Sequence, residues 1–166
     1  TTVSDEKNRS TVMDLIPEKY KRAGVFPVGR LDKDTEGLLL LTNDGSLSNK
    51  LTSPKFKVAK EYIVELDKPL QDPDKNKIKK GIFLHQLKIQ TKPITISIIN
   101  KSKTIVKVIL HEGKKRQIRY TFKKFGYEVL KLKRTSFGPL TIKNINKGST
   151  RTLKAGEIKK LKSIVT

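Results

Sequence analysis

Gly29-Arg30-Leu31-Asp32-Lys33-Asp34-Thr35-Glu36-Gly37 runs without a break into Leu38-Leu39-Leu40-Leu41-Thr42-Asn43-Asp44-Gly45. The first part sets Asp32, Asp34 and Glu36 at alternate positions. The second is a short apolar run closed by the turn signal Asn43-Asp44-Gly45. From Leu38 to Thr42 the run is too short for a helix and suits a buried strand. These carboxylates sit in a chain of 166 residues whose formal net charge is +21. A chain that basic is built to hold a polyanion, and carboxylates placed against a polyanion are repelled by it. Chemistry on RNA gives such a cluster a reason to be there.

Lys and Arg number 37 against 16 Asp and Glu, spread along the whole chain rather than gathered in a tail. A basic folded surface with nucleic acid as partner follows, and affinity should fall steeply with salt through counterion release. The length suits one domain with a core of its own. There is no cysteine, which excludes disulfides, thiolate zinc sites and cysteine nucleophiles. His85 and His111 stand far apart in sequence, against a multi-histidine metal site. No apolar run approaches the roughly 20 residues of a membrane span, and no signal peptide is visible.

Working outward, residues 1–24 are polar, with a short helical pattern over Thr11–Ile16 ending near Pro17. Val25–Val28 looks extended. Ser46–Leu51 suits a short helix with Ser46 near its cap. Lys60–Leu66 alternates as a strand, with Tyr62, Val64 and Leu66 on one face. Pro69–Pro73 is loop, and Asp74–Lys80 is a basic helix closed by Gly81. Ile94–Ile98 and Thr104–Leu110 form a hairpin across Asn100–Lys103. Lys114–Phe125 reads as a helix whose Ile118, Phe122 and Phe125 share a core face, stopped by Gly126. Leu130–Ile142 has strand character broken at Gly138-Pro139. A last helix spans about Ala155–Ile164, with Leu153 packing before it. The class is α+β, a mixed and largely antiparallel sheet flanked by helices.

Asp32, Asp34, Glu36 and Gly37 match the opening of a calcium loop, but the match then fails. Leucines occupy the seventh to tenth positions and Asn43 the twelfth, where a bidentate Glu belongs. A magnesium nuclease would want further carboxylates from elsewhere, and EDTA sensitivity would reveal one. Arg30, beside Asp32, can grip a phosphate or stack on a base, or pair locally with Asp34 or Glu36. Tyr62 is either a core aromatic or a ring lining a pocket. Glu112-Gly113-Lys114-Lys115-Arg116-Gln117-Ile118-Arg119 places cations at a strand-to-helix junction, a setting suited to phosphates.

These segments together resemble the RsuA/RluB-type family of ribosomal RNA pseudouridine synthases. Gly29 to Gly45 resembles its catalytic-loop motif, Lys60-Glu61-Tyr62 its second motif and Glu112 to Arg119 its third. Thr11–Leu15 resembles the opening segment. Gly138-Pro139 and the spacing Gly148, Arg151, Leu153, Glu157, Leu161 resemble the C-terminal signature. The likeness makes residues 1–166 one catalytic domain. The family usually carries a small RNA-binding domain ahead of it, and this chain does not show one.

The resemblance implies isomerisation of uridine to pseudouridine by cutting the glycosidic bond, rotating the base and rejoining it through carbon, with no metal or organic cofactor. It makes Asp32 the catalytic aspartate. It also makes Arg119 the cation that keeps Asp32 ionised, and Tyr62 the tyrosine that stacks on the target base. A uridine in folded RNA must be flipped out, and Arg30 is the candidate to fill the vacated space. Lys60, Lys114, Lys115 and Arg116 are expected to contact the RNA, whether ribosomal RNA or a pre-ribosomal particle. Leu51–Pro54 and Leu66–Leu70 lean towards the small-subunit branch. A monomer in a bacterial-type cytoplasm is expected, or in an organelle if a targeting segment has been removed. The rival reading is a non-catalytic RNA-binding or ribosome-assembly protein, which would have no need of Asp32.

Overall fold

The computed structural model describes residues 11–166, so the first ten residues of the polar N-terminal stretch lie outside the described residues. Thr11 caps a 3-10 turn over Val12–Leu15, accepting from the Met13 N–H while Asp14 accepts from the Thr11 N–H. Pro17 ends that turn but also opens a helix the composition did not suggest, α1 (Glu18–Arg22). Proline at a helix start loses no backbone bond, because its missing N–H would have no partner there.

The expected strand at Leu38–Thr42 is shorter than its apolar run. β1 (Phe26–Pro27), β2 (Glu36–Gly37) and β3 (Leu41–Thr42) are each two residues long. β1 pairs antiparallel with β3, and the Val28 N–H donates to the Leu40 carbonyl at 2.8 Å. α2 (Gly45–Thr52) follows, capped by Asp44 rather than Ser46: Asp44 Oδ1 accepts from the Leu47 N–H at 2.9 Å. Aspartate is the stronger cap because its charge also favours the helix N-terminus.

β4 (Lys60–Leu66) is central to the main sheet. α3 (Asp72–Lys80) begins two residues early, since Pro73 fits its first turn, and ends on Gly81 at φ +89°. β5 (Phe83–Leu84) and β6 (Ile89–Gln90) form a small hairpin around a 3-10 turn, His85–Leu87. β7 (Thr95–Ile98) and β8 (Ile105–Leu110) make the expected hairpin. α4 (Gln117–Lys124) packs on the sheet, followed by β9 (Val129–Phe137), β10 (Leu140–Thr141) and α5 (Ala155–Ser163).

The sheet runs β10-β9-β4-β8-β7, all antiparallel, and β2 adds to β9 in parallel on the edge away from β4. This is the mixed, largely antiparallel α+β fold expected. Alternation accounts for it: Val106, Val108 and Leu110 of β8 are buried while the residues between them are half-exposed. One apolar cluster joins β4, β7, β8 and β9 to Ile118 and Phe122 of α4. A second joins Val28, Leu40, Leu51, Phe137, Leu140 and Leu161. β9 contributes to both, and the catalytic-loop motif is anchored to β9 near their junction.

Candidate active site

The motif that opened the sequence forms a loop between β1 and β2. Asp32 is half-buried, and its carbonyl accepts from the Thr35 N–H at 3.0 Å, turning the chain back. The loop lands on β9, where Glu36 pairs with Lys133 and Gly37 with Arg134. Gly37 has φ +117°, and a Cβ there would lie 2.2 Å from the Arg134 carbonyl oxygen. Glycine is required on both counts.

On the other side of β9, Arg134 stands opposite Tyr62 of β4. Gly37 and Tyr62 therefore flank Arg134, two strand spacings or about 10 Å apart. A bulge between Glu61 and Tyr62 shifts the register, so that Glu61 faces Ser136 and Tyr62 faces Arg134. Bulges re-aim side chains beside functional sites. Here Arg134 and Lys60 both come over the Phe137 ring, at 5.4 and 5.5 Å from its centroid.

Arginines hold the loop from three directions. Arg119 Nη2 donates to the Asp34 carbonyl at 2.6 Å, and its Nη1 to the Val129 carbonyl at 2.8 Å, bridging loop and β9. Arg134 Nε donates to the Leu38 carbonyl at 2.8 Å, and the Leu38 N–H donates to the Arg134 carbonyl at 2.8 Å. Arg116 pairs with the Asp34 carboxylate at 3.3 Å. The expected cation for Asp32 is thus spent on backbone: among the described residues no ion pair joins Arg119 to Asp32. A planar guanidinium suits this work, because its donors fork in fixed directions.

The other expected residues divide. Arg30 is exposed and does not make the local pairs weighed for it; Asp34 takes Arg116 and Glu36 takes Lys147 at 3.0 Å. Lys147 on Glu36 holds that carboxyl below its ordinary value. Lys114 and Lys115 are exposed and precede α4 instead of forming its first turn. The helix starts at Gln117 because Arg116 is left-handed, at φ +53°. Lys60 is half-buried, and burial pushes its amine down, with the Arg134 charge acting in the same direction.

Two functions escaped the sequence reading. Glu112, read only as part of a basic motif, is buried and accepts from Gln117 Nε2 at 2.6 Å and from the Lys92 N–H at 3.0 Å, bracing the turn before α4. Arg134 is 2% exposed. Its signal was a cation two residues after Leu132, at an alternate position where β9 turns to the core.

Among the described residues, four buried side-chain atoms lack a hydrogen-bond partner: Thr35 Oγ1, Arg119 Nε, Thr121 Oγ1 and Arg134 Nη2. Three of these belong to the loop or to the arginines holding it. Such orphans are few in native proteins and gather where a ligand or chemistry is served. A cavity of about 760 Å³ borders the loop at Asp32, Thr35 and Gly37, with Leu15, Leu153 and Ile158 on its other walls. It is lined by Asp32 but by neither Tyr62 nor Arg119, so it holds one of the three expected catalytic residues and not the other two. Among the described residues no three His, Cys, Asp or Glu side chains stand together as a metal site, and no helix is long and apolar enough to cross a membrane.

The family model for RNA pseudouridylate synthases matches residues 1–124. The chain belongs to this family, and it carries the catalytic fold of these isomerases. An uncharacterized RNA pseudouridine synthase of Aquifex aeolicus (strain VF5) is 40% identical over 99% of this chain and 68% of its own length. Ribosomal large subunit pseudouridine synthase B of Bacillus subtilis (strain 168) is 35% identical over 99% of this chain and 67% of its own. A crystal structure of a pseudouridylate synthase superposes with a TM-score of 0.84 at 34% identity, covering 91% of this chain and 65% of that one. The chain thus spans about two thirds of the proteins it matches. The small-subunit leaning finds no support here, since the Bacillus relative is named for the large subunit.

Proposed function

We propose that this chain converts a uridine of ribosomal RNA to pseudouridine, with Asp32 as the catalytic group, and that the RNA is that of the large subunit. The observation that carries the reading is the way the loop bearing Asp32 is fixed to β9, across Arg134 from Tyr62. Its carbonyls at Asp34 and Leu38 are taken by Arg119 and Arg134. A carboxylate that must meet one carbon of a flipped nucleotide needs a rigid support, because small misplacements of reacting groups cost rate heavily. An RNA-binding protein without catalysis has no use for that rigidity.

In this reading Asp32 acts ionised, as nucleophile or as stabiliser of charge at the sugar. Tyr62 offers its ring to the extruded base. Arg119 serves by holding the loop, and its charge remains close to it. Arg30 enters the space the base leaves. Lys60, Lys114, Lys115 and Arg116 meet the phosphates, and Asp34 and Glu36 orient the loop through Arg116 and Lys147. A bacterial-type cytoplasm is the setting such a substrate implies.

The test is tritium release from ribosomal RNA labelled at uridine carbon five, with large- and small-subunit RNA offered separately and as partly assembled particles. Release by the wild type and none by Asp32→Ala is expected, with the large-subunit RNA as substrate. Release from neither RNA in either form would favour the RNA-binding reading.

A further inference from the structure

We propose that Arg134 is a positioning residue that fixes the hydroxyl of Tyr62, so that the phenol proton points away from the sheet and towards the substrate. The inference rests on the reading of Tyr62 given above and extends it to a residue outside the three motifs.

Arg134 is 2% exposed, and among the described residues no carboxylate pairs with it. A buried guanidinium without a counter-charge is costly to keep, and an apolar side chain of the same size is often the more stable choice. Packing therefore does not explain it. Its donors show what does. Nε is committed to the Leu38 carbonyl, at the end of the loop that carries Asp32. Nη2 is buried and has no aligned partner. The residue across the strand pair is Tyr62. Burial pushes Arg134 below its ordinary value, and the Tyr62 hydroxyl beside it acts the other way, as an acceptor of its charge would. Lys60, on the same β4 face one position before the bulge, adds a second cation above Phe137 and no acceptor.

The donor inventory then settles the direction of the hydroxyl. Arginine and lysine donate only, and a phenol oxygen both donates and accepts. Toward Arg134 the oxygen can only accept, so its hydrogen points elsewhere. Nε is committed to the loop of Asp32, and Nη2 is the donor left for the Tyr62 hydroxyl across the strand pair. Lysine, with a single ammonium head, cannot hold both in fixed directions.

The experiment is a double-mutant cycle of Arg134→Met and Tyr62→Phe, read as the single-turnover rate of tritium release, with RNA affinity and thermal midpoint measured on every variant. Arg134→Met should lower the rate by about 10²-fold, leave RNA affinity unchanged and leave the thermal midpoint unchanged or raised. Added to Tyr62→Phe it should cost clearly less than in the Tyr62 protein, because only the bond to the Leu38 carbonyl is then left to lose. Arg134→Lys should recover part of the rate in the Tyr62 protein and none in the Tyr62→Phe protein. If Arg134→Met does not fold, Arg134→Lys carries the same cycle. Additive losses, or a rate loss matched by a fallen thermal midpoint, would overturn the inference and leave the pseudouridine reading standing. No release by the wild type would remove both.

Discussion

Arg134 and Arg151 each hold an element of this molecule in place, and they do so in opposite media. Arg151 lies at the surface before α5, where its guanidinium makes two bonds to Glu157, at 2.6 and 2.7 Å. Glu157 also accepts from the Lys154 N–H at 2.8 Å, so the pair clasps the helix start. Arg134 lies under the sheet face with a carbonyl for partner and a donor left over. The geometry of the exposed pair is the better of the two. Yet surface pairs are screened and contribute little, whereas a buried cation is felt by everything near it. Good hydrogen-bond geometry thus marks a structural clasp, and an incomplete set in a buried place marks a site kept for function.

The largest effect should come from the buried side. Arg119→Met frees the Asp34 carbonyl and the Val129 carbonyl together, and tritium release in a single turnover should fall by about 10²-fold with RNA binding retained. A matching loss of RNA affinity would make Arg119 an RNA contact and break the contrast. Next is Gly37→Ala, whose added Cβ would meet the Arg134 carbonyl oxygen at 2.2 Å. The β2–β9 pairing should open, and both rate and stability should drop, the latter by more than about 1 kcal/mol because φ is also positive. An alanine variant with wild-type melting would mean the loop is not held as described. On the exposed side, Gly156 of α5 has open space around its Cβ position. Gly156→Ala should raise stability by about 0.5–1 kcal/mol without touching the rate, as urea unfolding would show.

The smallest effect is the acid response of the clasp. Glu157 is held down to about 2, first by Arg151 and then by the Lys154 N–H, from an ordinary 4.5. A depressed carboxylate supports the fold above its unfolded value and loses that support as pH falls through the folded one. The wild type should therefore weaken between about pH 4.5 and 2 more than Glu157→Gln does. Parallel acid titrations of the two proteins, followed by circular dichroism, would show whether the clasp contributes at all.

The division between apolar alternation and buried charge also decides what could be read from the chain. β4, β7 and β8 were legible because apolar residues recur at every second position, with Val64, Leu66, Ile96, Val106, Val108 and Leu110 buried. The catalytic loop was legible as a motif, although its strand shrank to Leu41–Thr42 because Leu38 is held by Arg134 instead of a neighbouring ladder. The β5–β6 hairpin went unread: two-residue strands carry no period. α1 went unread because its five residues bury no side chain. The start of α4 was placed three residues early, since nothing local announces a left-handed arginine at 116. Arg119 was found, but its partners are backbone carbonyls, which no side-chain pattern encodes. Arg134 was missed because one cation in a lysine-rich strand looks like surface.

The central claim is that Asp32 does the chemistry and its neighbouring carboxylates serve only the loop. The most direct measurement is single-turnover tritium release by Asp32→Asn and Asp34→Asn on ribosomal RNA labelled at uridine carbon five. Asp34→Asn gives up one exposed pair with Arg116, worth less than about 1 kcal/mol, and should stay within roughly tenfold of the wild type. Asp32→Asn should release nothing above background. Equal losses in the two variants, or release by Asp32→Asn, would contradict the account.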